Sequence, residues 1–150
     1  VGGTVTLNGT VATTGTNLDL GAATLGSAVT VTTGAGAGDI ATGALTAASN
    51  ALTLVAGTGS TTVESVDTAS TLTVTSSTDT RFTGAVSASD IALTASTGTI
   101  TFSGDTTATN GLTTTTSVTQ RLIELQVRVD AVDVETEPFR HLRELLVVQL

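Results

Sequence analysis

The chain has 150 residues, a formal charge of −8, no Cys, Met, Trp or Tyr, and a single Pro. That charge, with five Arg and no Lys, excludes the clustered cations that grip nucleic-acid phosphates or an anionic bilayer. The missing Cys excludes thiol catalysis and disulfide staples, and no stretch is long and apolar enough to cross a bilayer as a helix. Thr is the commonest residue, and the apolar content is mostly Ala and Val. Such β-branched and small side chains suit a pleated, half-buried surface better than the middle of a wide globule. The chain starts at Val1 without a basic or apolar leader, and reads as an internal fragment or a mature segment.

In residues 1–49, Val5-Thr6-Leu7, Leu18-Asp19-Leu20 and Val29-Thr30-Val31 alternate apolar, polar, apolar, the pattern of strands with one buried face. Glycines punctuate them, most densely at Gly34-Ala35-Gly36-Ala37-Gly38. Leu25 and Leu45 stand about twenty residues apart, as do Leu18 or Leu20 and Ile40.

From residue 50 the spacing becomes regular. Asn50, Ser70, Asp90 and Asn110 each precede a short apolar-alternating segment. Rows begun at those four residues bring Leu52, Leu72, Ile91 or Leu93, and Leu112 into one column. Val63, Phe82 and Ile100 or Phe102 form a second, and Val66 and Val86 a third. A repeat of about twenty residues with two or three short strands per row predicts a stack of coils with a parallel ladder on each face. About six coils are expected; the alternative is an antiparallel β-sandwich. Asn17, Asp39, Asn50, Asp90 and Asn110 are expected at corners, because Asn and Asp bond nearby backbone and tolerate the left-handed region.

Residues 118–150 change character. Arg121, Arg128, Arg140 and Arg143 fall here with six acids, and Thr almost disappears. Residues 123–131 alternate strictly and predict a longer strand; Leu122 shares the column of Phe82 and Phe102. Residues 139–146 predict a short amphipathic helix with Thr136 as N-cap and Pro138 in its first turn. The chain therefore divides into a repeat region, 1–117, and a strand-plus-helix tail, 118–150. The tail reads as a cap on the open coil edge, as the start of another module, or as a reading-frame artefact.

Chemistry is sparse. His141, the one histidine, reads as a solvated residue of the tail helix rather than the base of a catalytic triad. Arg81 is the single cation of the repeats, beside Asp19, Asp39, Glu64, Asp67, Asp79, Asp90 and Asp105. No catalytic, cofactor-binding or metal-ligating residue is assigned. Residues 34–39 loosely echo a Gly-rich Ca²⁺-binding repeat, but occur once where that chemistry needs stacked copies. Outward Thr residues, Thr53 and Thr73 among them, form Thr-x-Thr pairs of the kind that bind ice on other solenoids, with a break at Ala92.

Asp39-Ile-Ala-Thr-Gly-Ala-Leu-Thr-Ala, Asp90-Ile-Ala-Leu-Thr-Ala-Ser-Thr-Gly-Thr-Ile-Thr and Asn50-Ala-Leu-Thr-Leu-Val-Ala-Gly resemble the degenerate repeats of large bacterial exoproteins, the filamentous-haemagglutinin type and autotransporter passengers. The resemblance covers residues 1–117. It implies a right-handed parallel β-helix, export to the cell surface or medium, and a non-enzymatic role as stalk or adhesin. The partners it implies are glycans or proteins of a host or neighbouring cell, with edge-to-edge self-association as a further contact. Neither nucleic acid nor membrane insertion is expected. The alternatives are a Thr-ladder surface for ice or carbohydrate, and a fragment of a β-helical carbohydrate-active enzyme.

Overall fold

The structure, a computed structural model, describes residues 5–94 and 97–114. The strands are β1 (Val5–Ala12), β2 (Leu18–Leu20), β3 (Ala23–Thr32), β4 (Ile40–Thr46), β5 (Leu52–Val55), β6 (Thr61–Ser76), β7 (Thr80–Phe82), β8 (Val86–Leu93), β9 (Ile100–Phe102) and β10 (Thr106–Thr114). The strand pairings among them are all parallel, and there is no helix among the described residues. This is a β-solenoid. Its parallel register excludes the antiparallel sandwich.

Each coil contributes to three faces. On the first, Val5, Ala23, Leu45, Val66, Val86 and Thr106 stand in register. On the second, Gly9, Val29, Leu52, Leu72, Ile91 and Leu112 do. On the third the column is Leu18, Ile40, Thr61, Thr80 and Ile100. The described residues thus complete about five turns and open another with β10. Coil length varies about the expected twenty: from Gly9 to Val29 the step is 20 residues, then 23, 20, 19 and 21 to Leu52, Leu72, Ile91 and Leu112. The longest is the second coil, whose turn holds the Gly34–Gly38 run. The strand and helix expected after residue 118 lie outside the described residues.

Burial follows the strand period. The pattern alternates buried and partly exposed through β5, β7 and β9. The core is one continuous cluster, in which Leu52, Leu54, Leu72, Val74, Phe82, Leu93 and Ile100 are fully enclosed. A coil this narrow leaves room for one layer of side chains from each face. Leu, Val and Ile fill it, and the stack needs few aromatics. Each fully buried aliphatic side chain contributes about 1.5–3 kcal/mol against its exposed state. Between coils the backbone closes the ladder: Leu18 N donates to Asp39 O (2.8 Å), Ile40 N to Ser60 O (2.9 Å), Thr61 N to Asp79 O (2.8 Å) and Thr80 N to Thr99 O (2.9 Å). Strands too short to persist alone persist here because inner rungs are bonded to the coils on both sides.

Two expected alignments shift. Ala23, not Leu25, pairs with Leu45. A small residue therefore sits against a large one. Leu25, two residues on, falls level with Ala47, and both are buried. The second departure is β6, which runs 16 residues unbroken through all three faces where short strands were expected. It bends at Thr68, whose φ of 54° is left-handed, and its register with β8 slips between Val66 and Ala69. The corner is made by one residue inside a continuous strand rather than by a separate turn.

The third face also carries a polar pair in the core. Thr61 and Thr80, each 1% exposed, lie in register between Ile40 and Ile100. The Thr61 hydroxyl makes no hydrogen bond. An unpaired buried polar group costs about 1–3 kcal/mol, so Thr61→Val, nearly equal in shape, is expected to stabilise the chain by about 1 kcal/mol. Urea denaturation reads this as a higher midpoint with an unchanged slope; a lower midpoint contradicts it.

Candidate functional site

The outward side of the second face is the most regular surface. Thr10, Thr30, Thr53, Thr73, Ala92 and Thr113 occupy one register column. Side chains alternate along a strand, so this column points away from its buried neighbours Leu52, Leu72 and Ile91. None of these five threonines uses its hydroxyl in a hydrogen bond with another described residue. Adjacent coils are about 4.8 Å apart, which sets the hydroxyl spacing along the column. The gap at Ala92 interrupts the file for one coil, and Thr113 resumes it. The neighbouring columns are mixed: Ala12, Thr32, Val55 and Ser76 on one side, Thr71, Asp90 and Gly111 on the other. The surface is a single file of threonines, not a flat two-column array.

The corners divide into two kinds that the sequence pattern had merged. Asn50, Ser70, Asp90 and Asn110 lie where the first face meets the second, but not in one column. Asp90 pairs with Thr71, one residue beyond Ser70, because that coil is one residue shorter. The left-handed residues there are Ala48 (φ 49°), Ser49 (φ 63°) and Thr68, rather than the Asn and Asp. The Asn50 side chain instead ties coil to coil, with its Nδ2 donating to Leu25 O of the preceding one (2.9 Å). Asn110 Nδ2 donates to Asp90 Oδ2 (3.2 Å).

The second kind of corner precedes the third face, and here the column is exact in register: Asn17, Asp39, Ser60, Asp79 and Thr99 each stand one residue before the aligned strands. Asn17 Oδ1 accepts from Asp39 N (2.9 Å), Asp39 Oδ1 from Ser60 N (2.7 Å), and Asp79 Oδ1 from Thr99 N (2.7 Å) and Thr99 Oγ1 (2.8 Å). A short acceptor side chain on one coil thus takes the N–H of the next. The sequence signal is a polar residue before Leu18, Ile40, Thr61, Thr80 and Ile100, at steps of 22, 21, 19 and 20 residues. The even spacing of residues 50, 70, 90 and 110 obscured it.

These bonds act on charge. The Thr99 backbone N–H, and after it the Thr99 hydroxyl, hold the Asp79 carboxyl below its ordinary value of 3.8, against a weaker opposing effect of desolvation. A depressed folded pKa stabilises fully above the unfolded value, and the contribution is lost as pH falls through the folded one. Asp79→Ala is therefore expected to lower the urea midpoint at neutral pH, by a margin that shrinks as acidification protonates the folded-state carboxylate. A gap that stays constant on acidification assigns the effect to something other than the carboxylate.

The remaining candidates separate onto different surfaces. Asp19 and Arg81 share the outward column of the third face, with Ala41 and Thr62 between them and Thr101 beyond. Asp67 lies on the first face opposite Thr46. No group of three carboxylate or imidazole side chains with metal-site geometry occurs among the described residues. In the Gly34–Gly38 turn the polar backbone is already used: Gly36 O accepts from Thr58 N of the next coil (3.0 Å), and Gly38 O accepts from Thr33 Oγ1 within the turn (2.7 Å). His141 lies outside the described residues.

Comparison with protein-family models, with curated proteins and with solved structures found no match.

Proposed function

We propose that this chain is a non-enzymatic structural segment, a stalk or adhesin piece of a secreted or surface-exposed bacterial exoprotein. The observation that carries the reading is where the polar side chains go. Asn17, Asp39, Asn50, Asp79, Thr33 and Ser77 accept or donate bonds that tie coil to coil or close a turn. A protein whose corner chemistry is spent on stacking gains stiffness along the stack and presents an outer surface of Thr, Ser and Ala. Contact with glycans or proteins of another cell then belongs to the outward faces or to other parts of the same exoprotein. Antibody raised against the folded chain, applied to intact cells of the source organism, tests this. Labelling of unpermeabilised cells or of the culture medium supports it, and signal confined to the lysed interior overturns it.

The register of Thr10, Thr30, Thr53, Thr73 and Thr113 favours a second reading, a hydroxyl ladder that binds ice or an extended polysaccharide. Ice-recrystallisation and insoluble-glycan pull-down assays on the purified chain separate the two. Activity that is lost in Thr53→Tyr and Thr73→Tyr supports the ladder; no activity in either assay leaves the stalk reading.

A further inference from the structure

The sequence holds four asparagines, and three are committed. Asn17 accepts from Asp39 N, Asn50 donates to Leu25 O, and Asn110 donates to Asp90. Asn8 is different: its side chain makes no hydrogen bond to another described residue. It is also the one asparagine with a hydroxyl residue two positions on, in Asn8-Gly9-Thr10; the corresponding residues after the others are Asp19, Leu52 and Leu112. Both Asn8 and Thr10 are exposed. They sit on β1, which among the described residues pairs only with β3.

Local backbone geometry presents the motif. The β1–β3 register slips between Leu7, opposite Leu25, and Gly9, opposite Val29. Gly9 has a φ of 71° and nothing within 4 Å of the position a Cβ would take, so the chain bulges outward there. On the coil beside it, a Cβ at Gly26 would fall 2.6 Å from Asn8 Oδ1 and 2.9 Å from Thr6 Cγ2. The absent side chain makes the space in which the Asn8 carboxamide lies, with its oxygen over Gly26.

From this we infer that Asn8 is an acceptor for asparagine-linked glycosylation, with a sugar activated through an anomeric phosphate as donor. In the transfer, a base on the transferase takes a proton from Asn8 Nδ2, and the nitrogen bonds to the anomeric carbon. The bond from that carbon to the phosphate oxygen breaks, and the phosphate-bearing carrier leaves with the electron pair. Thr10 supplies the hydroxyl that the transferase recognises beside the amide. The inference rests on the Asn8 motif and its exposure, and stands apart from the stalk reading.

The test uses the folded full chain in two arms: a soluble asparagine glycosyltransferase with UDP-glucose, and a membrane oligosaccharyltransferase with a lipid-pyrophosphate oligosaccharide. Intact mass is read before and after, and circular dichroism confirms that each variant keeps its strand signal. The expected result is the gain of one glycan mass in at least one arm, lost in both Asn8→Gln and Thr10→Ala and kept in Asn110→Gln. The arm that reacts identifies the carrier. No gain in either arm, or a gain that survives Asn8→Gln, overturns the assignment.

Discussion

Phe82→Ala is expected to be among the most damaging single substitutions in the stack, lowering stability by about 3–5 kcal/mol. Phe82 is completely buried and its ring stacks on Phe102, with centroids 4.9 Å apart and planes 10° from parallel. It stands in register between Val63 and Phe102 on the third face, so truncation removes contacts on two neighbouring coils at once. A one-layer core has no further layer of side chains to collapse into the space, which places the cost at the upper end for a large-to-small change. Phe102→Ala is expected to cost less, because Phe102 is 7% exposed. The double variant adds a test: a coupling of about 0.5–1.5 kcal/mol belongs to the ring pair, and additivity of the two single effects contradicts a stacking contribution.

Gly57→Val should be comparably severe for a different reason. Gly57 has a φ of 57°, and a Cβ there would lie 2.5 Å from Gly34 O and 2.6 Å from Gly36 O. Both obstacles are backbone of the adjacent coil, so neither rotates away. A β-branched residue in the left-handed region adds strain of its own. The expected loss is about 3 kcal/mol or more, the upper range of overpacking combined with that strain. Gly15→Ala separates the two causes. Its φ is 66°, yet nothing lies within 4 Å of the added atom, so only the conformational part, about 1 kcal/mol, should appear. Equal losses at both sites in urea denaturation would show that backbone strain, and not close approach of the coils, sets the cost.

The columns of large apolar residues were legible in the sequence because a buried strand face imposes period two and a stack imposes a common coil length. Leu52, Leu72, Ile91 and Leu112 align as the spacing implied, as do Val63, Phe82 and Phe102, and Val66 and Val86. The Thr file was partly legible. Thr53 and Thr73 follow from the same spacing, and Thr113 lies two repeats beyond Thr73, but a coil of 23 residues concealed that Thr10 and Thr30 belong to the file. The Asn17–Asp39–Ser60–Asp79–Thr99 column was harder still. It carries four residue types, and its steps are uneven.

What the amino-acid sequence determined by itself was the kind of order: short strands with one buried face, repeated about every twenty residues, with polar corners. Those properties depend on local pattern and composition, which need no knowledge of neighbours. Which residue faces which across coils was decided only by the tertiary structure. Ala23 sits against Leu45, Asp79 bonds Thr99, and the Gly57 backbone approaches Gly34, because turn lengths and bulges accumulate along the chain. A one-residue change in coil length moves each later pairing, so register is a property of the stack as a whole.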